Sequence, residues 1–338
     1  MGSRGPQAEQ AIAPPANDDM SSYTVGVDAQ DGSPLFTKLP AETRVEIFSL
    51  ALKAEIDASK PYRPDRFFYR PGYHSHTEIN QALLLTCKRV YGEARLLPIA
   101  VNEHVFWLFN GPWTSIGRRE RYPARWDDYF HKLNADQKQA VQTVHIFAQQ
   151  MYLESLTNIF GWQAFNFKTT CLHLTIRHFD WWSWESPPMS NDRLGICPWR
   201  ESRTSCQQML AEPLDPDVDY IKPRIGRLST WGGQVCQIRG LKVLKIEFEI
   251  GIPKKPQLQA VVERAKTWKF PLTEEDAVLV WTGTMEESSW EGLQFVKADF
   301  MPLREKPITE DLPKRKYYVV TMTWAAVPAS RTRVSGIE

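Results

Sequence analysis

Histidine side chains that could bind a metal ion occur in two short groups of this chain. His74 and His76 are two residues apart with Glu78 just beyond them, which supplies half of a usual zinc donor set. No Cys or His pair of matching spacing follows, so solvated loop histidines are the simpler interpretation. His173 and His178 are five residues apart on a predicted strand, where an odd spacing directs side chains to opposite sides. The sequence therefore predicts no metal site.

An acidic run imitates the start of a calcium-binding loop. Asp215, Asp217 and Asp219 alternate as the first ligands of such a loop do. The sixth position is Tyr220, where the sharp turn needs glycine, and the twelfth is Gly226, where a bidentate glutamate is needed. The run is therefore interpreted as a solvated acidic loop.

A cluster of aromatic side chains lies at the end of a predicted strand. Its candidate target-binding residues are Phe179, Asp180, Trp181, Trp182 and Trp184. Ligand sites of α/β sheets usually lie at the carboxyl ends of parallel strands, and tryptophan is common in binding hot spots. Large aromatic residues more often contribute to a core, so packing of the following loop against the sheet edge is the favoured alternative.

Short motifs that carry catalytic or nucleotide-binding chemistry are missing from the sequence. The chain has no G-x-S-x-G, no G-x-x-x-x-G-K-[S/T], no G-x-G-x-x-G and no H-E-x-x-H. Catalytic triads form in space rather than in sequence, so this alone does not exclude catalysis. It leaves no residue to which a catalytic role can be assigned. The sequence thus predicts a protein that is not an enzyme and uses no cofactor.

Composition and charge narrow the functional classes. The chain has 338 residues, 42% of them hydrophobic, which is enough for one large domain or two small ones. Its 41 basic and 40 acidic residues give a net charge of +1, so the basic excess of a dedicated nucleic-acid-binding protein is missing. Five cysteines without a C-x-x-C pair favour free thiols in a reducing compartment over a disulfide scaffold.

Targeting features point to the cytoplasm or the nucleus. Residues 1–17 lack the apolar segment of a signal peptide, and no apolar run approaches the about 20 residues that span a bilayer. We therefore expect no membrane partner. The basic run Lys314-Arg315-Lys316 fits a nuclear signal or, more simply, an exposed strand flank. The polar segments 1–33 and 326–338 are predicted to be disordered or loose tails.

Apolar periodicity marks helices in the N-terminal segment. Val45, Phe48 and Leu52 recur at helical spacing and are expected to face inward. Pro61 and Pro64 forbid continuation of that helix. In chain order, the predicted elements are a helix over 39–57, an inserted loop over 57–76, a helix over 78–97 and a buried strand over 105–109.

The remainder, residues 111–325, reads as an α/β body. Its predicted elements are a strand over 144–147, a helix over 153–160, a strand over 171–179, a strand over 244–250, a helix over 256–268 and strands over 277–281 and 317–324. Two strand–helix–strand units of this kind favour parallel pairing with helices on one side, as in a small open sheet or a leucine-rich-repeat-like stack. The connection over 186–233 is expected to be partly disordered or to pack along the sheet edge.

Two segments carry a resemblance to a known family. Leu39-Pro40-Ala41-Glu42 with Ile47-Phe48 and Leu50 resembles the opening helix of F-box domains, and Leu84-Leu85-Thr86-Cys87-Lys88-Arg89-Val90-Tyr91 resembles their later helix. Residues 57–76 form an insertion that ordinary F-boxes lack. Over residues 35–325 the chain also resembles a family of fungal F-box-like proteins, through Leu84 to Ala94, the strand at 174–182 and the helix at 265–272. That family brings no established activity.

The resemblance implies an F-box-like helical segment over 34–110, fused to a mainly parallel α/β body. It implies docking of a Skp1-type adaptor of a cullin ubiquitin ligase through Leu39, Pro40, Ile47 and Leu50, with the body recruiting a target. In the alternative, these helices cap the sheet and those residues are core. The resulting hypothesis is a non-enzymatic protein–protein interaction module. Its rivals are a small-ligand binder or enzyme using residues 179–185, and a purely structural scaffold.

Overall fold

The computed structural model describes residues 26–108, 111–112, 126–155, 168–213, 230–273, 275–294 and 313–332. The acidic run at 215–219 lies outside these residues. The chain divides into two compact units, here called the N-terminal unit (Met1–Ala51 with Gln81–Arg95) and the sheet unit (Leu52–Asn80 with Leu96–Glu338). None of the described helices combines the length and apolarity needed to cross a membrane.

The N-terminal unit consists of short helices. They are α1 (Pro34–Thr37), α2 (Ala41–Ala51), a 3₁₀ turn (Ala82–Leu85) and α3 (Lys88–Ala94). Pro40 precedes α2 and Glu42 lies in its first turn, where a negative charge stabilises the helix dipole. The predicted helix at this position is confirmed, but it ends at Ala51 rather than near residue 57.

The second predicted helix, over 78–97, is wrong as one element. Cys87 has an extended backbone (φ −158°, ψ 161°), and its Sγ accepts a hydrogen bond from the N–H of Val90, so α3 begins only after it. The Thr86 hydroxyl donates to the carbonyl of Leu83, a local bond that competes with helix continuation. Among the described residues, no F-box helices are evident.

The two ends of the predicted loop over 57–76 instead belong to the strands of a hairpin in the sheet unit. Its strands β1 (Glu55–Pro61) and β2 (Ser75–Glu78) pair antiparallel, with Glu55 opposite Glu78 and Asp57 opposite His76. The segment between the strands, residues 62–74, is called the cover segment below.

A seven-stranded sheet forms the centre of the sheet unit. Its order is β3-β4-β5-β6-β9-β8-β7, and the strands are β3 (Glu103–Trp107), β4 (Thr143–Phe147), β5 (Cys171–Ile176), β6 (Val243–Gly251), β7 (Lys269–Pro271), β8 (Ala277–Leu293) and β9 (Lys314–Pro328). The first four strands are parallel, and the pairs β6–β9, β9–β8 and β8–β7 are antiparallel. The sheet is thus mixed and only partly parallel.

Helices of the sheet unit connect and cover these strands. They are α4 (Leu97–Ala100), α5 (Trp126–Lys132), α6 (Ala135–Ala140), α7 (Gln150–Ser155), α8 (Cys206–Leu210), α9 (Trp231–Val235), α10 (Lys255–Ala265) and α11 (Ala329–Thr332), with 3₁₀ turns at His178–Asp180 and Ile252–Lys254. The unit β4–α7–β5 confirms the first predicted strand–helix–strand crossover. The second is wrong, because β9 lies between β6 and β8 and pairs antiparallel with both.

Alternation along the strands separates two faces of the sheet. One face is apolar and belongs to the main core, which includes Val144, Ile146, Leu172, Leu174, Leu244, Ile246, Phe248, Met322 and Trp324. The described part of the predicted connection 186–233 also enters this core, through Leu194, Ile196 and Trp231. The opposite face of β3–β6 carries histidine, threonine and glutamate side chains, and it is called the polar face.

Candidate functional site

The polar face is built by the register of four parallel strands. His145 on β4 lies directly opposite His173 on β5, and His173 lies opposite Lys245 on β6. One step along the same face, Thr175 lies opposite Glu247. Because side chains at paired positions of neighbouring strands share a face, titratable groups that are far apart in sequence are brought into rows.

Three of these groups form a compact set of metal-ligand type. Glu103, His145 and His173 each offer one donor atom, and the three atoms lie within 4.8 Å of one another. Glu103 Oε2 is 3.3 Å from His145 Nδ1, and Glu103 Oε1 is 3.5 Å from His173 Nδ1. The two imidazoles stack with centroids 3.8 Å apart and planes inclined by 13°. His145 is buried, whereas the Glu103 side chain is 37% exposed.

A chain of hydrogen bonds runs from the cover segment through His145. The hydroxyl of Tyr73 lies 2.8 Å from Nδ1 of His145, and Nε2 of the same ring lies 2.8 Å from the Thr175 hydroxyl. Thr175 Oγ1 in turn lies 3.4 Å from Glu247 Oε1 and donates to it. A proton on Nε2 of His145 lets Thr175 accept from the ring while donating to Glu247. Burial lowers the pKa of His145 to about 4, so the ring is neutral at neutral pH.

Arg70 of the cover segment completes this network. Its Nη2 lies 2.5 Å from Oε1 of Glu247 and 3.3 Å from Oε2 of Glu249. Burial acts to raise the pKa of Glu247, but the charge and hydrogen bond of Arg70, together with the nearby His173 and His145, outweigh it and hold that pKa below its usual value. For Glu249 burial dominates and raises the pKa. The guanidinium also lies 5.6 Å from the ring centroid of Phe147, a cation–π contact that offsets part of its desolvation.

Aromatic rings seal the cover segment onto the polar face. Tyr73 contacts Trp107 and Phe147 edge-on, with ring centroids 5.3 and 4.9 Å apart. Trp107 and Phe147, which are register partners, stack at 3.6 Å with nearly parallel planes. Phe68 adds a further edge contact to Trp107. The polar network is therefore shielded from water on this side, which strengthens its electrostatic interactions.

A second buried ion pair lies where β5 ends. Arg177 donates from Nε and Nη2 to the two carboxylate oxygens of Asp180, at 2.6 and 3.0 Å. Burial raises the pKa of Asp180, and the neighbouring Arg177 opposes that rise. Phe179 lies under the Arg177 guanidinium and contacts Phe67 of the cover segment. These contacts occupy the side chains of two predicted target-binding residues in structural interactions.

The predicted tryptophans differ in burial. Trp181 is buried, and its indole N–H donates to the carbonyl of Glu249. Trp182 and Trp184 are half-buried, and Trp182 Nε1 donates to Glu154 at 3.2 Å. Phe179, Asp180 and Trp181 are thus part of the packed interior, which agrees with the packing alternative for these three. Target binding through Trp182 and Trp184 stays a prediction.

The predicted adaptor-binding residues lie on or next to α2. Ile47 and Leu50 are 42% and 69% exposed, Pro40 is exposed and Leu39 is half-buried. The expectation that Val45 faces inward is wrong, since its side chain is 39% exposed. The neighbouring Arg44 is buried instead, and the apolar periodicity of the sequence did not identify it as an inward-facing residue.

Arg44 fixes α2 to α3 within the N-terminal unit. Its Nε and Nη2 donate to the Glu93 carboxylate at 2.8 and 2.9 Å, and its Nη1 donates to the carbonyl of Leu39 at 2.7 Å. The Arg44 side chain is only 8% exposed. A bidentate, partly buried pair of this kind sets the orientation of the helix. Phe48, which is 1% exposed, adds the apolar contact on the same side.

Sequence reasoning missed the residues of the polar network. Arg70 and Tyr73 were assigned to an inserted loop, and His145 to an ordinary strand. One signal was present: His145 and His173 lie near the starts of two successive predicted strands, at the second position of 144–147 and the third of 171–179, and parallel pairing can place such residues side by side. His74 and His76, by contrast, are exposed, as predicted for solvated residues of the insertion.

Comparison of this chain with protein-family models, curated proteins and solved structures finds no match.

Proposed function

We propose that this chain is a non-enzymatic protein–protein interaction module that docks a partner through α2. The observation that carries the proposal is the exposure of Ile47 and Leu50 on a helix whose other side is held inward by Arg44 and Phe48. Residues three apart in a helix are neighbours on its surface, so these two side chains form one apolar projection.

Apolar side chains that are exposed in this way can still contribute free energy of binding when a partner buries them. Fully burying a leucine or isoleucine side chain contributes about 1.5–3 kcal/mol. An apolar groove on a partner would therefore gain affinity by covering these two side chains, as in helix-in-groove recognition. Val45, also exposed on α2, extends the apolar area that a partner can cover.

The fixed orientation of α2 supports the same role. The Arg44–Glu93 pair joins α2 to α3, and the guanidinium of Arg89 on α3 lies 4.2 Å from the ring centroid of Phe36 on α1. A helix that is already ordered loses little conformational entropy on docking, which improves affinity for a given contact area.

The partner we propose first is the Skp1-type adaptor that the sequence resemblance implies. In that role no residue of this chain performs chemistry. The chain would hold a target near the transferring enzyme and so raise its effective concentration. The half-buried Trp182 and Trp184 remain the proposed target contacts on the sheet unit.

Affinity purification of the tagged full chain with mass spectrometry tests this function. The expected result is recovery of a Skp1-type adaptor with the wild-type protein and its loss from the Ile47→Asp/Leu50→Asp double variant. Met189→Asp is the matched control, because Met189 is 91% exposed in the sheet unit and receives the same substitution. No adaptor with the wild type, or equal recovery from all three proteins, would contradict the proposal.

A further inference from the structure

The geometry points to a binding site for one divalent transition-metal ion, with zinc as the type ion, formed by Glu103, His145 and His173. It is independent of the docking proposal, because all three residues belong to the sheet unit. Two imidazoles and one carboxylate are donors that zinc and related ions accept together.

The distances between the histidine nitrogens and the Glu103 oxygens are close to those of a metal site. Bonds of about 2.0–2.1 Å in tetrahedral geometry place neighbouring donor atoms roughly 3.3–3.4 Å apart. The carboxylate oxygens of Glu103 lie 3.3 Å from Nδ1 of His145 and 3.5 Å from Nδ1 of His173. Each histidine nitrogen therefore already lies at about this separation from one oxygen of Glu103, and the three donor atoms lie within 4.8 Å of one another.

The surroundings of His145 favour the same atom as ligand. A ligating histidine usually donates its second N–H to a neighbouring group, which fixes the tautomer. Nε2 of His145 lies 2.8 Å from Thr175 Oγ1, and the Thr175 hydroxyl in turn donates to Glu247 Oε1. That arrangement leaves Nδ1 as the unprotonated nitrogen of the ring, which accepts from the Tyr73 hydroxyl and lies 3.3 Å from Glu103 Oε2.

One adjustment accompanies binding. The two rings are stacked, so their in-plane lone pairs run parallel, and one ring must tilt to direct both at a single ion. His173 is the ring that can tilt, since its buried Nε2 has no hydrogen-bond partner among the described residues and its side chain is 17% exposed. The Tyr73 hydroxyl would exchange its bond to His145 Nδ1 for Glu103 Oε2, which lies 3.4 Å away.

The proposed site is open to solvent on the side of Glu103. Glu103 is 37% exposed, so an ion can reach the site from solvent at the start of β3. The single carboxylate leaves a net positive charge on the complex. Three protein donors leave a fourth position for water, the pattern of open rather than closed zinc sites.

Calorimetric titration of the chelator-treated full chain with Zn²⁺, and spectroscopic titration with Co²⁺, tests the site. The expected result is one ion per chain, with affinity at least tenfold weaker in Glu103→Gln and in His173→Gln. Both positions are partly exposed, so these variants should keep the fold, which circular dichroism checks. His76→Gln, an exposed hairpin histidine, is the matched control and should bind as the wild type does.

Thr175→Val separates ligation from a merely structural role. It removes the hydroxyl that orients the His145 ring but leaves all three proposed metal ligands in place. We expect a roughly tenfold or greater loss of Zn²⁺ affinity. Absence of saturable binding to the wild type would overturn the proposal. So would affinities for Glu103→Gln and His173→Gln that equal that of His76→Gln, since the ion would then lie elsewhere.

Discussion

Arg70 and Glu247 are 177 positions apart in the chain, yet Nη2 of Arg70 lies 2.5 Å from Oε1 of Glu247. This contact joins the cover segment to the central strand β6. It places a guanidinium against two carboxylates, Glu247 and Glu249, on a face that aromatic rings shield from water. The residues inserted between β1 and β2 are therefore an integral part of the sheet unit rather than an appended loop.

Replacing Arg70 with methionine should destabilise the protein strongly. The change leaves two carboxylates, 18% and 2% exposed, without their cation. Breaking a buried pair in this way costs about 3–5 kcal/mol. Denaturant unfolding measures the change. Arg63→Met removes a more exposed partner of Asp65 in the same cover segment and should cost less than about 1 kcal/mol. Equal effects of the two substitutions would show that the Arg70 pair contributes no more than a surface pair.

Removing the Tyr73 hydroxyl should also destabilise the fold, but less. In Tyr73→Phe the ring contacts remain, whereas Nδ1 of the buried His145 loses its partner at 2.8 Å. An unsatisfied buried group costs about 1–3 kcal/mol. Tyr62→Phe is the control, because its hydroxyl contacts His76 at 3.3 Å in an exposed position. Thermal and denaturant unfolding of both variants should differ by that amount; identical stabilities would argue against a structural role for the Tyr73 bond.

Protonation of the His178 ring should make the free energy of unfolding depend on pH. Burial, with the charges of Arg315 and Lys254, lowers the pKa of His178 from 6.5 to about 3. Its two ring nitrogens face the N–H of Gly251 and a guanidinium N–H of Arg315. Glu249 accepts from the His178 backbone N–H rather than from the ring. A neutral ring accepts from one of these two donors, because its other nitrogen carries a hydrogen, whereas a protonated ring would oppose both.

The sign of the effect follows from the lowered pKa. Between about pH 6.5 and 3 the unfolded chain takes up a proton that the folded chain does not, so the free energy of unfolding falls as the pH is lowered through this range. In His178→Gln this contribution is missing. The stability difference between wild type and variant should shrink from pH 7 to pH 4, as measured by urea unfolding at each pH. A constant difference would contradict the assignment.

The two sides of α2 should respond differently to truncation. Phe48 is 1% exposed, and Phe48→Ala should cost about 3–5 kcal/mol through lost contacts and a cavity. Leu50 is 69% exposed, and Leu50→Ala should change the stability by no more than about 0.5 kcal/mol. Urea unfolding of the two variants measures both values. A large loss for Leu50→Ala would mean that this side chain is needed by the fold and is not kept for a partner.

Much of the sheet was predictable because each buried strand shows its own alternation. The strands at Thr143–Phe147, Cys171–Ile176 and Val243–Gly251 lie close to the predicted positions. Pairing was harder, since periodicity identifies a strand but not its neighbour. β8 was predicted over only five residues, 277–281, but it continues to Leu293. Its second half contains the polar stretch Glu286 to Ser289, which lacks an apolar pattern although it pairs with β9.

The candidate sites were predictable only in part. The exposed pair on α2 was selected through its resemblance to the opening helix of F-box domains, while Arg44 was overlooked because an arginine in an apolar stripe is usually solvated. The histidines of the polar face were overlooked for a different reason. Their proximity depends on strand register, which single-residue patterns do not encode, and on Glu103, which reaches them from the start of a third strand.

Direct binding of a purified Skp1-type adaptor to the purified full chain tests the central claim, docking through α2, most directly. Isothermal titration should give one-to-one binding to the wild type and to Met189→Asp. Binding should weaken at least tenfold, or about 1.4 kcal/mol, in Ile47→Asp and in Leu50→Asp, because each substitution removes apolar burial and also places a charge in the apolar contact. Absence of binding to the wild type, or equal affinities for all four proteins, would contradict it.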